Sequence, residues 1–299
     1  MLTMMNSFKP ALHCSLVFLC SIFSASVWSA CQDSGVQLQI LGSGGPGPSN
    51  GRASSGYLLW IDGESRIMVD AGSGTKDQFH RANANLDTID LIALSHLHPD
   101  HSAELPAILW TAGGSFYLSG PTPAGVFPSI ENFLDSMFGP GGAFRILADR
   151  IDLEVFTVDT AAANPVDVWR EGNILVRGTG VPHGDVPTIG YRIDFPDVSI
   201  AFTSDQNGSN PSFIDFIQGV DYLVIHLASS EDATGFIAEL HAKPSVWGQM
   251  ATAADVGHVI VSHISTSSPQ ALEESLTILR SNYSGALTVG EDLMCFELN

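Results

Sequence analysis

Positive charge is scarce in this chain: 12 Lys and Arg stand against 32 Asp and Glu, a formal net charge of −20 over 299 residues. Such a field repels nucleic-acid backbones rather than attracting them, and no Lys/Arg-rich run relieves it. The expectation is therefore that no nucleic acid is bound. Cysteine is scarce as well. Of four, Cys14 and Cys20 lie within the first 30 residues, leaving Cys31 and Cys295 near the two ends of the remainder. Two cysteines cannot make a disulfide-dense miniature scaffold, and neither sits in a context that reads as a catalytic thiol. The glycines of residues 42–48 are not followed by Gly-Lys-Ser/Thr. They read as a flexible turn beside a site, not as a phosphate cradle.

What is present begins with a segment unlike the rest. Within residues 1–30 Lys9 is the only formal charge, residues 12–25 form an apolar run, and the small Ser24, Ala25, Ser26, Ser29 and Ala30 follow. That is the anatomy of an export signal, short for a spanning helix. The expected organisation is a signal peptide at 1–30 and one domain at 31–299, with the product exported and periplasmic or secreted. It would touch a membrane only through that signal or through a lipid on Cys31. In an oxidising compartment Cys31 and Cys295 could instead close a disulfide tying the termini together.

Residues 36–41 alternate apolar and polar side chains, as a half-buried strand does. Residues 57–60 and 66–70 read as a hairpin turning through Asp62 and Gly63, with Asp70 at a strand end. A short helix is expected over 76–84, a strand over 90–94, one helix over 102–111, a strand over 116–118 and a helix over 129–138. Strands follow at 153–158 and 174–178, separated by a polar connector at 160–165, then at 189–193, 199–203, 221–225 and 259–262. Further helices are expected from about 233 to His241, over 246–254 and over 269–280, with a last strand near 293–296. This alternation, with no long linker, predicts one α/β domain whose sheets are covered by helices.

The densest chemistry lies at His96, His98, Asp100 and His101, four potential metal ligands within six residues, directly after the apolar run Leu91, Ile92, Ala93 and Leu94. A lone histidine is usually solvated or a satisfied core residue. Three with an aspartate in one loop point to a metal, since imidazole is the commonest metal ligand. Asp70, His183, Asp205, His226 and His263 also end apolar strands. Strand ends of an α/β sheet gather on one edge, where such folds place ligands, so these residues are expected to share one site. The ligands suffice for two divalent ions about 3.5–4 Å apart. His96, His98 and His183 would hold one, Asp100, His101 and His263 the other, and the two oxygens of Asp205 would bridge them. A water between the ions would be acidified towards neutrality and act as nucleophile. Zinc is the first expectation, with manganese or iron also suited to His/Asp sites.

The order His96-x-His98-x-Asp100-His101, His183, Asp205, His263 resembles the metallo-β-lactamase superfamily over residues 36–297. The resemblance implies a four-layer αβ/βα sandwich with a dinuclear site at one edge. It also implies that Asp70 orients a ligand histidine. Within the superfamily the chain is similar to ribonuclease Z and its phosphodiesterase and arylsulfatase relatives. Leu41, Gly42, Ser43, Gly44, Gly45 and Pro46 look like their first strand and turn. His183, Pro187, Gly190, Tyr191 and Arg192 look like a further family pattern, with one extra residue before the proline. His226 falls where that branch has a histidine after a strand, and His241, Ala242, Lys243, Pro244 and Ser245 look like the loop that supplies a general acid, His241. The basic arm with which ribonuclease Z grips transfer RNA has no counterpart here. The implied activity is hydrolysis of a phosphodiester or related ester by an exported dinuclear enzyme acting on a small anionic or ester substrate. Asp100 would assist as well as bind metal, and self-association is left open. The alternative is opening of a β-lactam or lactone on the same site, although lactamases of the superfamily usually have Cys, or no bridging residue, where Asp205 stands. A non-enzymatic metal-binding role is disfavoured, because degenerate copies usually lose ligands.

Overall fold

The computed structural model describes residues 31, 34–47 and 50–299; the expected signal peptide lies outside them. The first half of the chain runs β1 (Val36–Gly42), β2 (Gly56–Ile61), β3 (Glu64–Val69), α1 (Thr75–Arg81), β4 (Leu91–Ala93), α2 (Pro99–Ser102), α3 (Leu105–Ile108), β5 (Gly114–Pro121), α4 (Ile130–Phe138) and β6 (Ile151–Val158). The second runs β7 (Val166–Glu171), β8 (Ile174–Val181), β9 (Thr188–Asp194), β10 (Ser199–Phe202), α5 (Ser212–Phe216), β11 (Tyr222–His226), α6 (Phe236–Leu240), α7 (Pro244–Ala253), β12 (His258–Ser262), α8 (Pro269–Asn282), β13 (Ala286–Val289) and β14 (Cys295–Leu298).

Two seven-stranded sheets result, in the orders β14-β1-β2-β3-β4-β5-β6 and β13-β12-β11-β10-β9-β8-β7. Their central strands, such as β2, β4 and β11, are apolar on both faces because each sheet is covered twice. In β2, Tyr57 and Leu59 enter the core between the sheets, while Leu58 and Trp60 meet the helices outside. Strand β11 repeats this, with Tyr222 and Val224 inward and Leu223 and Ile225 outward. Phe79 of α1, Leu105 of α3 and Ile130 of α4 close the first outer core, and Phe213 of α5, Trp247 of α7 and Leu276 of α8 close the second. The layers are helix, sheet, sheet, helix, the four-layer sandwich.

Three local expectations change. The single helix over 102–111 is two short helices and a 3-10 turn. Pro106 has no N–H to offer the Ser102 carbonyl and instead sits in the first turn of its own helix. Strands β7 and β13 escaped notice because both are edges, where exposed and half-buried residues dilute the apolar signal. The last strand lies two residues later than expected. Cys31 and Cys295 form a disulfide with Cα atoms 5.8 Å apart, pinning the segment before β1 to β14. A cysteine in a disulfide has no sulfur free for a thioether, so the lipid expected as an alternative at Cys31 is set aside.

Candidate metal centre

Strands β3 and β4 run parallel, as do β10, β11 and β12, and β8 shares the direction of β10 through two antiparallel steps. Their C-terminal ends therefore open on one edge. Asp70 follows β3, His96 follows β4, His183 follows β8, Asp205 follows β10, His226 ends β11 and His263 follows β12. The chain leaves three of these strands through left-handed backbone, at Asp70 (φ 61°), Ser204 (φ 52°) and His263 (φ 51°). Non-glycine residues adopt it at a cost of roughly 1–3 kcal/mol, which surrounding contacts must offset.

Two sets of donor atoms converge. His96 Nε2 lies 3.0 Å from His98 Nδ1, which lies 3.4 Å from His183 Nε2. In the second set His101 Nε2 is 3.1 Å from His263 Nε2, and His263 Nε2 is 3.2 Å from Asp100 Oδ2. Asp205 joins the sets: its Oδ2 is 3.5 Å from His101 Nε2 and 3.8 Å from His183 Nε2, and its Oδ1 is 3.4 Å from His263 Nε2. All seven residues expected as ligands are thus brought together. All are buried except His98 and Asp100, which stand partly open at the mouth.

The outer ring nitrogens are held from behind. Asp70 meets His101 Nδ1 at 2.7 Å and is itself fixed by the Ser95 backbone N–H and by the Ser55 and Ser95 hydroxyls. His183 Nδ1 donates to the Leu240 carbonyl at 2.8 Å, which turns its Nε2 lone pair into the site. His226 could geometrically join His101, Asp205 and His263 as a ligand. Both its nitrogens are engaged, however, Nδ1 on Asp205 Oδ1 at 2.8 Å and Nε2 on the Tyr57 hydroxyl at 3.2 Å. Its ring stacks on His263 at 4.6 Å, and the two planes differ by 5°. Its Nδ1 contact holds the Asp205 carboxylate in place. His241 caps the end of α6, with Nδ1 3.8 Å from Asp205 Oδ2 and its ring 5.1 Å from that of His183. Tyr57, Ser95 and Ser262 escaped sequence reading; Tyr57 looked like core, and only the adjacency of Ser95 to His96 offered a signal.

The charge balance of this pocket calls for cations. Burial pushes His101 down, but the Asp70 and Asp205 carboxylates outweigh it and hold its pKa well above the ordinary histidine value. Burial pushes Asp205 up, but His263 and His101 outweigh that and hold it well below the ordinary carboxylate value. The carboxylates therefore draw a positive charge into a space lined by inward ring nitrogens, the donor chemistry of a zinc-type site. Burial, reinforced by the neighbouring His101, His183 and His98, lowers His96 well below the ordinary value, and burial with nearby histidines takes His226 and His241 to about 4 despite the nearby Asp205.

Residues 65–264 match the family model of the β-lactamase superfamily domain, and the chain belongs to that family. Ribonuclease Z of Mycobacterium marinum is 25% identical over 279 residues, spanning 88% of this chain and 99% of that protein. The short form of human tRNase Z superposes with a TM-score of 0.68 at 19% identity, covering 88% of this chain and 99% of the other. Zn(2+)-bound PqqB from Methylobacterium extorquens superposes equally well, with a TM-score of 0.68 at 15% identity over 88% of this chain and 100% of the other. Within the superfamily the chain is therefore a metal-dependent hydrolase on the side of ribonuclease Z. These relatives overturn one expectation, that nucleic acid is no partner of such a chain, since the family members it matches end to end are ribonucleases by name. The net charge of −20 sums carboxylates wherever they lie. It describes long-range steering, not which ester fits a metal-lined edge.

Proposed function

We propose that this protein hydrolyses phosphodiesters at a two-metal site, with zinc as the first metal and manganese or iron as alternatives. The observation that carries the reading is Asp205, whose Oδ2 faces His183 of one histidine set and His101 of the other at 3.8 and 3.5 Å. His96, His98 and His183 would hold one ion, and Asp100, His101 and His263 the second, with Asp205 shared. Bound there, two divalent ions would supply Lewis acidity and make water a nucleophile near neutral pH. Asp70 keeps the His101 ring aimed inward, and His226 does the same for Asp205. His241 stands beside Asp205 with its pKa depressed to about 4 by burial. A phosphodiester anion beside the ring favours the imidazolium and raises that value, which lets His241 protonate the leaving oxygen.

The class includes both the RNA phosphodiester that the ribonuclease Z relatives cleave by name and small diesters or related esters. The exported form of the reading is supported by the apolar run within 1–30 and by the Cys31–Cys295 disulfide, which suits an oxidising compartment. The test is turnover of bis(p-nitrophenyl) phosphate and of a precursor transfer RNA by mature protein, with and without EDTA. Chelation is expected to abolish cleavage, and Zn²⁺ or Mn²⁺ to restore it. Full activity in metal-free protein would end the reading.

A further inference from the structure

The two segments that flank the His96, His98 and His183 side of the site present uncovered apolar groups. Residues 122–128 follow β5 and contain no charged residue. They turn tightly between Ala124 and Phe127, whose backbones exchange two hydrogen bonds, with Gly125 at φ 54°. That turn leaves the Val126 side chain 92% exposed at its tip, and the Phe127 ring 6.2 Å from the His98 ring. Facing the site from the second sheet is α6, whose last carbonyl, Leu240, accepts from His183 Nδ1. Phe236 and Ile237 in its first turn are 70% and 46% exposed. Ile237 lies one turn before His241, and its carbonyl accepts the His241 N–H at 2.9 Å. Between residues 233 and 240 the only charge is Glu239.

A soluble protein leaves large apolar side chains bare singly as a matter of course; two exposed apolar segments that each reach one reaction site, through His98 and through His183 and His241, are different. Neither wall carries a cation for a second phosphate, and both offer what a ring or alkyl chain buries well. We propose that Phe127 with Val126, and Phe236 with Ile237, form the two walls of a subsite for the apolar, non-leaving alcohol group of the ester. This rests on the phosphodiesterase reading above and adds the substrate chemistry to it.

Two p-nitrophenyl phosphodiesters separate the effects, one with methyl and one with naphthyl as the second alcohol, because the leaving group is the same in both. The naphthyl diester is expected to show kcat/KM higher by about tenfold or more, the scale of burying one ring. That ratio should fall in Phe236→Ala, Ile237→Ala and Phe127→Ala, and stay unchanged in Ile146→Ala, which removes another exposed apolar group on the 3-10 turn after α4. Calorimetric binding of naphthyl phosphate against methyl phosphate to the metal-loaded protein reads the same walls without turnover. Equal values for the naphthyl and methyl compounds, or a preference that survives the substitutions on both walls, overturns the subsite. A binding preference without hydrolysis of either diester leaves the subsite standing and overturns the phosphodiesterase reading.

Discussion

In the first sheet one loop, running from the end of β4 into α2, delivers His96, His98, Asp100 and His101; in the second sheet β8, β10 and β12 each deliver a single group, His183, Asp205 and His263. The supports are also crossed. In the first sheet a carboxylate, Asp70, holds a histidine, and in the second a histidine, His226, holds a carboxylate. The local loop tolerates small shifts of its sheet as a unit, because its ligands move together. The dispersed groups depend on the register of three strands, fixed by parallel pairing such as Ala201 with Leu223 and Leu223 with Val259. The second sheet therefore carries the stricter positional demand, and Asp205 is the one group on which both donor sets lean.

The largest expected effect follows from that asymmetry. Asp205→Ala should lower kcat/KM by roughly a thousandfold or more, the several kcal/mol that a metal site supplies. Bound metal per chain, read by elemental analysis, should fall towards one or none. His98→Ala, at the exposed rim of the local loop, is expected to retain one ion and lose less. If the two variants lose equal metal and activity, the dispersed half is not the stricter one.

Next comes the covalent tie that only the first sheet has. Cys31→Ser with Cys295→Ser should cost about 2–4 kcal/mol of stability, seen as a lower midpoint in denaturant, with kcat little changed at room temperature. A loss of activity without loss of stability would show that the tie reaches the site.

The crossed supports give smaller effects. Asp70→Asn and His226→Ala should each cost about 10–100-fold in metal affinity or activity, and similar losses in the two would show the supports to be equivalent. His226 also has a pH signature in metal-free protein. Its pKa is about 4 in the fold against 6.5 ordinarily, so the unfolded chain takes up the proton first. Stability from this group is present above about 6.5 and is lost as pH falls towards about 4. Thermal unfolding in EDTA across that range should show this slope, flattened in His226→Gln. Smallest of all, Tyr57→Phe removes the hydroxyl between His226 and Ser262 and should cost about 1 kcal/mol of stability. An effect on kcat as large as that of His226→Ala would place Tyr57 inside the machinery.

The same contrast separates what the linear chain reveals from what it hides. The four groups from His96 to His101 are legible because they are neighbours in sequence. His183, Asp205 and His263 are legible only as polar residues ending apolar runs. Tyr57, Ser55 and Ser262 were not legible at all, and Ser95 only through its adjacency to His96. A hydroxyl in a strand reads the same whether it faces solvent, core or a carboxylate. Strands β7 and β13 were hidden for a related reason: half-covered edges carry little periodicity.

By itself the sequence determined the alternation of apolar runs and helices, the metal-binding chemistry of the loop after β4 and the candidacy of each strand-end group, because these depend on residue type and local spacing. Only the tertiary structure decided that both nitrogens of His226 are engaged, by Asp205 and by Tyr57, that Cys31 meets Cys295, and that apolar walls from two distant segments flank one side of the site. Those outcomes depend on which atoms come within hydrogen-bond or contact distance across separations from 21 positions, for Asp205 and His226, to 264, for Cys31 and Cys295, and the folded arrangement of the strands, not spacing along the chain, sets that distance.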